Sequence, residues 1–488
     1  MTRRKIGAAS LVRLLGQWRL ASRGLPAYRQ LADALRLLIL DGRLGLDMRL
    51  PGERQLAEAL GLSRTTLSSA FAALREEGFL ASRHGAGSVT SLPGRSGAVP
   101  PEPPQDGALG RGMIDFSIAA LPAGEAVHRA YVDAMSALPA HLPGTGYEPV
   151  GLPELRAAVA ELYAARGVPT HPDEIMITHG AQHGFALVLR LLTGPGDRVV
   201  IDHPTYPLAI DAIGRASCRA VPVALPAQGW DVDALVAALR QTAPRLAYLQ
   251  PDFHNPTGRC MDAGTRGAVA EAAARAHTSV VVDETMADMW LEAPPPPPLS
   301  RFDRAGRVIA LGSTGKTFWG GLRVGWIRAD AQVIAALARA RASLDLGTPV
   351  LEQLAVASLL RAPDEPLARR RATLCERRDL VIELARRLMP EWSLPRPEGG
   401  LCLWAELPFP CATPLAAAAE ACGVRIGAGP RFGIEGAFER FVRLPFTLEP
   451  ELLESAMERL AAAWRLVREP AGRRSASAEG ATRLEPVI

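Results

Sequence analysis

Apolar side chains recur every three or four positions in the first ninety residues, which is the spacing of helices that bury one face. Three such stretches occur, over residues 25–42, 49–61 and 62–78. In the third, Leu67 and Phe71 fall on the apolar side and hydroxyl and Arg side chains fall on the other. The pattern therefore predicts three consecutive helices around a small shared core. Two short strands around a Gly-rich turn are predicted to follow.

A different pattern begins near residue 114. Short runs rich in β-branched residues, such as 279–284 and 307–312, alternate with helical stretches. This alternation predicts a mostly parallel sheet with helices on its faces. From about residue 351, long Leu-, Ala- and Arg-rich helices precede an apolar strand over 399–404. They predict a smaller carboxyl-terminal α+β domain.

Stretches rich in proline, glycine and polar residues separate these regions. The sequence predicts a winged helix-turn-helix domain over 22–91, a linker over 92–112, a large α/β domain over 113–350, a small domain over 351–469 and a disordered tail over 470–488.

Charge is distributed unevenly along the 488 residues. The formal net charge is +4, but residues 1–91 contain 14 Arg or Lys and 7 Asp or Glu, which leaves the rest of the chain slightly acidic. A basic amino-terminal domain favours a polyanionic partner such as DNA. The 6 cysteines form no Cys-x-x-Cys pair, and we find neither a membrane-length apolar run nor a secretory leader. We expect a cytoplasmic protein with reduced cysteines and no membrane partner.

Lysine is almost absent, since Lys5 and Lys316 are the only two. An arginine cannot replace a lysine that must react as a free amine and form a Schiff base. Ser313 and Arg323 flank Lys316 and are residue types that bind phosphate. A surface lysine in a loop is the alternative interpretation. These neighbours favour a reactive lysine beside a phosphate site.

Three further segments carry candidate chemistry. Asp283 ends a predicted buried strand, where it would face a ligand crevice unless it only caps a helix. Asn255 lies in an Asn-Pro-Thr-Gly segment that by itself indicates only a turn. Gly180, Ala181 and Gln182 join a strand to a helix, so their N–H groups would form an anion site. Together with the lysine, these segments predict a cofactor site at one edge of the sheet.

Two histidines, His179 and His183, have a spacing that occurs in metal sites. No third ligand is near them in the sequence, and the pair spans a predicted turn. We therefore predict no metal.

Residues 146–445 resemble the fold-type I pyridoxal-phosphate aminotransferases in several motifs that occur in the same order. The resemblance implies that Lys316 binds pyridoxal phosphate covalently, that Asp283 pairs with the ring nitrogen and that Asn255 binds the ring hydroxyl. It also implies that Tyr206 stacks on the ring, that Tyr147 reaches the cofactor of the neighbouring subunit and that Arg443 binds the substrate α-carboxylate. The implied phosphate site consists of Gly180, Ala181, Gln182, Ser313 and Arg323.

One position departs from the aminotransferase pattern. The family usually has a tyrosine two or three residues after the aspartate, whereas this chain has Thr285. A threonine hydroxyl is shorter and far less acidic than a phenol. We expect Thr285 to bind the ring hydroxyl in its place, with weaker tuning of the cofactor.

The amino-terminal domain resembles GntR-type winged helices, in which the second helix of the motif reads bases. A small protein-binding bundle is the alternative interpretation, but the basic excess and the Ser-Arg-Thr-Thr helix start favour DNA. The predicted DNA contacts are Arg54, Ser63, Arg64, Thr66, His84 and Gly85.

The whole arrangement resembles the MocR-type transcriptional regulators. This resemblance implies a homodimer that binds operator DNA and senses the cofactor, an amino acid or an amine. Two alternatives remain open, namely an active aminotransferase with a DNA-binding appendage and a repressor whose body binds no cofactor.

Overall fold

The amino-terminal helices enclose a core of their own. The computed structural model describes residues 5–19, 26–40, 43–46, 48–83, 87–91, 112–227 and 229–468. Its first elements are α1 (Ala8–Leu15), α2 (Ala27–Leu40), α3 (Glu53–Leu60), α4 (Arg64–Glu76) and the antiparallel strands β1 (Leu80–Arg83) and β2 (Gly87–Thr90). We call the described part of residues 5–91 the head and residues 112–468 the body.

A tight turn between α3 and α4 makes the helix-turn-helix. Gly61 has a φ of 64°, which a glycine adopts without strain, and its N–H bonds to the last carbonyls of α3. Ser63 then caps α4 by accepting from the N–H of Thr66 at 3.1 Å. Leu67 and Phe71 are fully buried against α2. The predicted winged helix-turn-helix fold is confirmed.

The head begins earlier than the sequence predicts. Leu11 and Leu15 of α1 are buried in the same core as α2 and α4, although the predicted domain starts at residue 22. The wing residues His84 and Gly85, most of the predicted linker and the predicted tail lie outside the described residues.

The body contains the remaining elements. Its strands are β3 (Ile114–Phe116), β4 (Ile175–Thr178), β5 (Arg198–His203), β6 (Arg219–Ala224), β7 (Leu246–Leu249), β8 (Ser279–Asp283), β9 (Val308–Ser313), β10 (Gly325–Arg328), β11 (Cys402–Glu406), β12 (Val424–Ala428) and β13 (Phe441–Pro445). Its helices are α5 (Glu125–Ala137), α6 (Pro153–Ala165), α7 (Ala181–Leu192), α8 (Pro207–Arg215), α9 (Val232–Thr242), α10 (Ala263–Ala276), α11 (Thr314–Thr317), α12 (Ala331–Arg341), α13 (Val350–Arg361), α14 (Asp364–Leu388), α15 (Ala412–Ala421) and α16 (Pro450–Arg468).

The larger sheet is mostly parallel, as predicted. Within the described residues it has seven strands in the order β4-β10-β9-β8-β7-β5-β6, and β10 alone of these runs antiparallel to its neighbours. Tyr248 and Val281 pack on one face with α7 and α8, whereas Ala247 and Val280 pack on the other with α9 and α10. Because both faces are covered, the inner strands β7 and β8 are nearly continuous apolar runs.

The smaller sheet has the order β11-β13-β12-β3 among the described strands. Its first strand in the chain, β3, pairs in parallel with β12, so that Ile114 lies opposite Val424. The large domain was predicted to start at residue 113, yet this segment belongs to the small sheet. A three-residue strand carries no local sign of the distant strand with which it pairs.

The head rests on the small domain of the body. Leu37 of α2 is only 9% exposed and belongs to the apolar core of the body, and α2 packs against α15. At the edge of this contact, Arg13 Nε lies 3.7 Å from Glu435 Oε1. A cavity of about 280 Å³ lies between the two parts, and Ser117 and Ala428 are in its body wall.

Candidate cofactor site and nucleic-acid interface

Four strands that run in the same direction end at one edge of the larger sheet. Gly180 follows β4, Asn255 follows β7, Asp283 ends β8 and Lys316 follows β9. The sheet therefore brings together groups that are far apart in the sequence. A cavity of about 190 Å³ at this edge is lined by ten of the predicted residues, which are Gly180, Ala181, Gln182, Tyr206, Asn255, Asp283, Thr285, Ser313, Lys316 and Arg323.

Lys316 enters this cavity from α11, a single turn that Ser313 caps by accepting from the N–H of Gly315 at 3.1 Å. Its Nζ donates to the carbonyl of Ala119 at 2.7 Å. Burial, followed by repulsion from Arg443, lowers the pKa of Lys316 from 10.5 to about 8. The amine is thus much more easily deprotonated than an ordinary lysine.

One end of the cavity is suited to a phosphate. Gly180 has a φ of 86°, and no side chain caps the helix α7 that starts after it, so the first-turn N–H groups face the cavity. Arg323 donates from Nη2 to the carbonyl of His179 at 2.9 Å. A Cβ at Gly180 would lie 3.2 Å from that Nη2. A glycine here therefore lets the guanidinium approach the helix N-terminus.

The other end of the cavity is acidic. Asp283 accepts from the Tyr248 hydroxyl at 2.6 Å and from the backbone N–H of Thr285 at 3.0 Å. Burial, followed by the charge of Asp283, raises the pKa of Tyr206 to about 12, so this phenol stays neutral. The backbone N–H of Thr285 thus holds the carboxylate of Asp283, and Thr285 also lines the cavity.

Arg443 reaches this site from β13 of the small domain. Its Nη1 donates to Asn255 Oδ1 at 3.1 Å and its Nη2 donates to the carbonyl of Ser117. The Nε is buried and has no partner among the described residues. Phe432 lies under the guanidinium at 4.9 Å.

Tyr147 is placed differently from the other predicted cofactor contacts. Its side chain is 64% exposed, and it does not line the cavity of its own chain. This position is compatible with the predicted contact to a second subunit.

Sequence reasoning missed several residues of the site, namely Tyr248, Gln250, Asp252 and Phe185. Tyr248 lies in the short apolar run Leu246–Leu249, which is typical of a buried strand. Its position opposite Val281, two residues before Asp283, follows only from the register of β7 and β8.

The two histidines that were considered as metal ligands meet a carboxylate. Asp345 Oδ2 lies 3.1 Å from His183 Nε2, and Asp345 Oδ1 lies 3.5 Å from His179 Nε2. The backbone N–H of His179 donates to His183 Nδ1 at 3.1 Å, so the proton of a neutral His183 is on Nε2 and is donated to the aspartate. Arg341 also donates to Asp345 at 2.6 Å. The structure thus brings to the two histidines a third group with metal-binding chemistry, which the sequence did not show, and hydrogen bonds join the three residues.

Four of the predicted DNA contacts are among the described residues, with Arg54 in α3 and Ser63, Arg64 and Thr66 at the start of α4. Arg54 and Arg64 are exposed and line a shallow depression there. Ser63 and Thr66 share a hydroxyl contact of 2.8 Å, and Ser63 also caps the helix. Ser63 thus has a structural role besides the predicted one.

The comparisons with known proteins cover both parts of the chain. The family of aminotransferases of class I and II matches residues 113–460, which is most of the chain. The chain belongs to this family. The family of bacterial regulatory proteins called gntR matches residues 27–89, so the head is a DNA-binding domain.

Similar proteins include both regulators and enzymes. The chain is 29% identical to a probable rhizopine catabolism regulatory protein, MocR, of Rhizobium meliloti, over 75% of this chain and 78% of the relative. It is 32% identical to a 2-aminoadipate transaminase of Thermus thermophilus, over 65% of this chain and 79% of the relative. The predicted MocR-type architecture is confirmed.

A solved structure resembles the body closely. LysN, an alpha-aminoadipate aminotransferase of Thermus thermophilus complexed with N-(5'-phosphopyridoxyl)-L-leucine, has a TM-score of 0.68 and 30% identity. The match covers 75% of this chain and 95% of that one. Within the described residues, no helix is both long and apolar enough to cross a membrane.

Pyridoxal phosphate is therefore the cofactor of the body, and the residues present fit it. An uncapped helix with Arg323 suits the phosphate, the amine of Lys316 suits the aldehyde, and the carboxylate of Asp283 suits the ring nitrogen. When bound, the cofactor supplies a ring that accepts electrons from a substrate carbon.

The lowered pKa of Lys316 gives a pH-dependent prediction. In protein without cofactor, labelling of this lysine by an amine reagent should rise as the pH passes through about 8, because a lowered pKa frees the amine at a lower pH. Mass spectrometry of the labelled peptide measures the midpoint. The Arg443→Met variant should move the midpoint upwards, since it removes a repelling charge. A midpoint near the usual pKa of 10.5 in the unmodified protein would contradict the assignment.

A second prediction concerns the head. Arg64→Ala should weaken specific DNA binding by about 1–3 kcal/mol if Arg64 contacts a base. Binding to an operator fragment, measured against a scrambled fragment, separates base contacts from phosphate contacts. Arg361→Ala is the matched control, because it removes the same charge from an exposed position on the body. Equal operator affinity for both variants would show that Arg64 reads no base.

Proposed function

We propose that the body binds an amino acid, or another amine with a carboxylate, beside Lys316, and that this binding changes how the head binds DNA. The observation that carries the proposal is the buried guanidinium of Arg443. Its Nε has no partner and its Nη groups contact only neutral oxygens among the described residues. A buried arginine left in this state favours an incoming carboxylate, which it can bind through two hydrogen bonds.

The position of Arg443 supports the proposed coupling to the head. Arg443 donates to the carbonyl of Ser117 and lies opposite Gly427 in the small sheet. Ser117 and Ala428 are in the wall of the cavity under the head, which Leu37 of α2 also lines. A carboxylate that draws Arg443 away from Ser117 would thus alter the surface on which α2 rests.

We further propose that the protein is a homodimer. Several large apolar side chains are exposed on the body near Tyr147, which is 64% exposed. Leu344 and Leu346 are about half exposed, and the loop that carries them reaches Tyr147, since a Cβ at Gly347 would lie 2.6 Å from the backbone oxygen of the next residue, Glu148. Such a patch on one chain favours burial against a second copy.

Two copies would also carry two heads, which suits DNA with paired half-sites. Sedimentation should give about twice the chain mass of 52.0 kDa, because the apolar patch is expected to be covered. A chain that stays monomeric at micromolar concentration would contradict this proposal.

Because its partner is DNA, we place the protein in the cytoplasm.

The second candidate function is sustained transamination. It is supported by the cavity, which contains Lys316, Asp283 and Asn255 together, and by the likeness to a transaminase. Thr285 in place of a tyrosine favours the sensor over the enzyme, because a threonine hydroxyl is a poorer partner for the ring hydroxyl than a phenol.

Spectroscopic titration separates these two functions. Protein loaded with pyridoxal phosphate is titrated with amino acids and amines, with and without a 2-oxo acid, while operator affinity is measured in parallel. A sensor should show one lasting change in the visible absorption and a changed operator affinity, about 5- to 150-fold for typical coupling. Product well beyond one equivalent per site would favour the enzyme. Before any ligand is added, Lys316→Ala should lack the visible band of the lysine-bound cofactor, since no lysine amine remains there to bond the aldehyde.

The contact between head and body can be tested in the same assay. Leu37→Ala should reduce the effect of the ligand on operator affinity, because it removes the side chain that joins α2 to the core of the body. The absorption change should persist. Leu466→Ala is the matched control on the exposed face of α16. Coupling that is unchanged in Leu37→Ala would exclude this contact as the route.

A further inference from the structure

A buried tyrosine connects the two ends of the cofactor ring site. Tyr248 is 1% exposed, and its hydroxyl donates to Asp283 Oδ2 at 2.6 Å. The same oxygen accepts from Gln250 Nε2 at 2.8 Å, and Gln250 Oε1 accepts from the backbone N–H of Asn255 at 3.0 Å. A continuous chain of hydrogen bonds thus runs from Asn255 to Asp283.

The fold holds Tyr248 in this place. It lies opposite Val281 in neighbouring parallel strands, and Asp283 is two residues further on the same face of the sheet. The ring of Phe185 packs against it with centroids 4.6 Å apart. Little freedom remains for the phenol, so its direction towards Asp283 is set by the packing.

The protonation of the phenol is equally constrained. Burial, followed by the charge of Asp283, raises the pKa of Tyr248 well above 10. The hydroxyl therefore keeps its proton over the physiological range. Since Gln250 donates to its oxygen, the one proton of the phenol is directed to Asp283.

We infer that Tyr248 is a positioning residue that holds Asp283, as an oriented carboxylate, against the ring nitrogen of pyridoxal phosphate. A hydrogen bond donated to a carboxylate stabilises its charged form, and a charged Asp283 keeps the ring nitrogen protonated. Gln250 links this phenol to the backbone N–H of Asn255. In this chain the tyrosine that the family usually places after the aspartate is replaced by Thr285, and Tyr248 tunes the ring from the opposite side.

The inference rests on the proposed role of Asp283, so the test includes both residues. In Tyr248→Phe, the pH at which the visible absorption of the bound cofactor changes should rise by about half a unit or more. The reason is that a less firmly protonated ring withdraws less electron density from the nitrogen of Lys316. That nitrogen is then more basic and loses its proton at a higher pH. The dissociation constant of pyridoxal phosphate should rise about tenfold, as expected for a lost hydrogen bond to a charged group. Asp283→Asn should move both quantities further in the same direction.

The chain contains a matched control. Tyr163 is also 1% exposed and also donates to a carboxylate, Glu284 Oε2, at 2.9 Å. Glu284 follows Asp283 directly but does not line the cofactor cavity. Tyr163→Phe thus removes an equivalent hydroxyl on the far side of the strand. It should leave the cofactor's pH midpoint unchanged, even if both variants unfold at a lower denaturant concentration.

The outcomes distinguish a wrong role for Tyr248 from a wrong role for Asp283. If Asp283→Asn moves the midpoint and Tyr248→Phe does not, Tyr248 has no positioning role. If neither moves it, the role proposed for Asp283 is wrong, and the inference is wrong with it. Equal shifts in Tyr163→Phe and Tyr248→Phe would show a general effect of stability and would also overturn the inference. Should Tyr248→Phe not fold, Gln250→Met replaces it, and a smaller rise of the midpoint is expected because only the support of the phenol is lost.

Discussion

The buried guanidinium of Arg443 is the charge through which we propose that the ligand site of the body is coupled to the head. Placing a permanent charge in a protein interior is costly unless partners compensate it. Here the partners among the described residues are the neutral oxygens of Asn255 and Ser117 and the face of Phe432. Asn255 lines the cofactor cavity, and Ser117 lines the cavity beneath the head. The guanidinium, with its unpaired Nε, thus lies between the proposed ligand site and the surface on which the head rests.

The same charge affects the lysine. Arg443 is the second cause, after burial, of the lowered pKa of Lys316. Desolvation and a neighbouring cation act in the same direction on an amine, and both favour its reactive neutral form. The arginine proposed to bind the carboxylate of a ligand therefore also prepares the amine that meets the cofactor. When a carboxylate neutralises Arg443, that repulsion is reduced, so ligand binding and lysine protonation are linked electrostatically.

The aspartate at the other end of the ring shows how a partner can come from a neighbouring strand. Tyr248 reaches Asp283 across two paired strands, so its phenol pairs with the carboxylate and not with the ring hydroxyl that Thr285 is expected to bind. The threonine and the buried tyrosine therefore act on different groups of the ring. The pair of His179 and His183 shows the same dependence on distant residues. Asp345, a third group with metal-binding chemistry, approaches both histidines although it lies far from them in the sequence.

The sequence by itself determined the winged helix and the mostly parallel sheet, and it predicted ten of the residues that line the cofactor cavity. Periodicity, strand ends and the rarity of lysine are local properties, and they single out Lys316 and Asp283. The segment with Asn255 indicates only a turn by itself, and its assignment came from the resemblance. The tertiary structure alone decided which strands pair. It placed β3 in the small sheet, set Tyr248 against Asp283 and seated α2 on the body through Leu37. These facts depend on register and on packing between segments far apart in the chain, which leave no periodic trace in either segment alone.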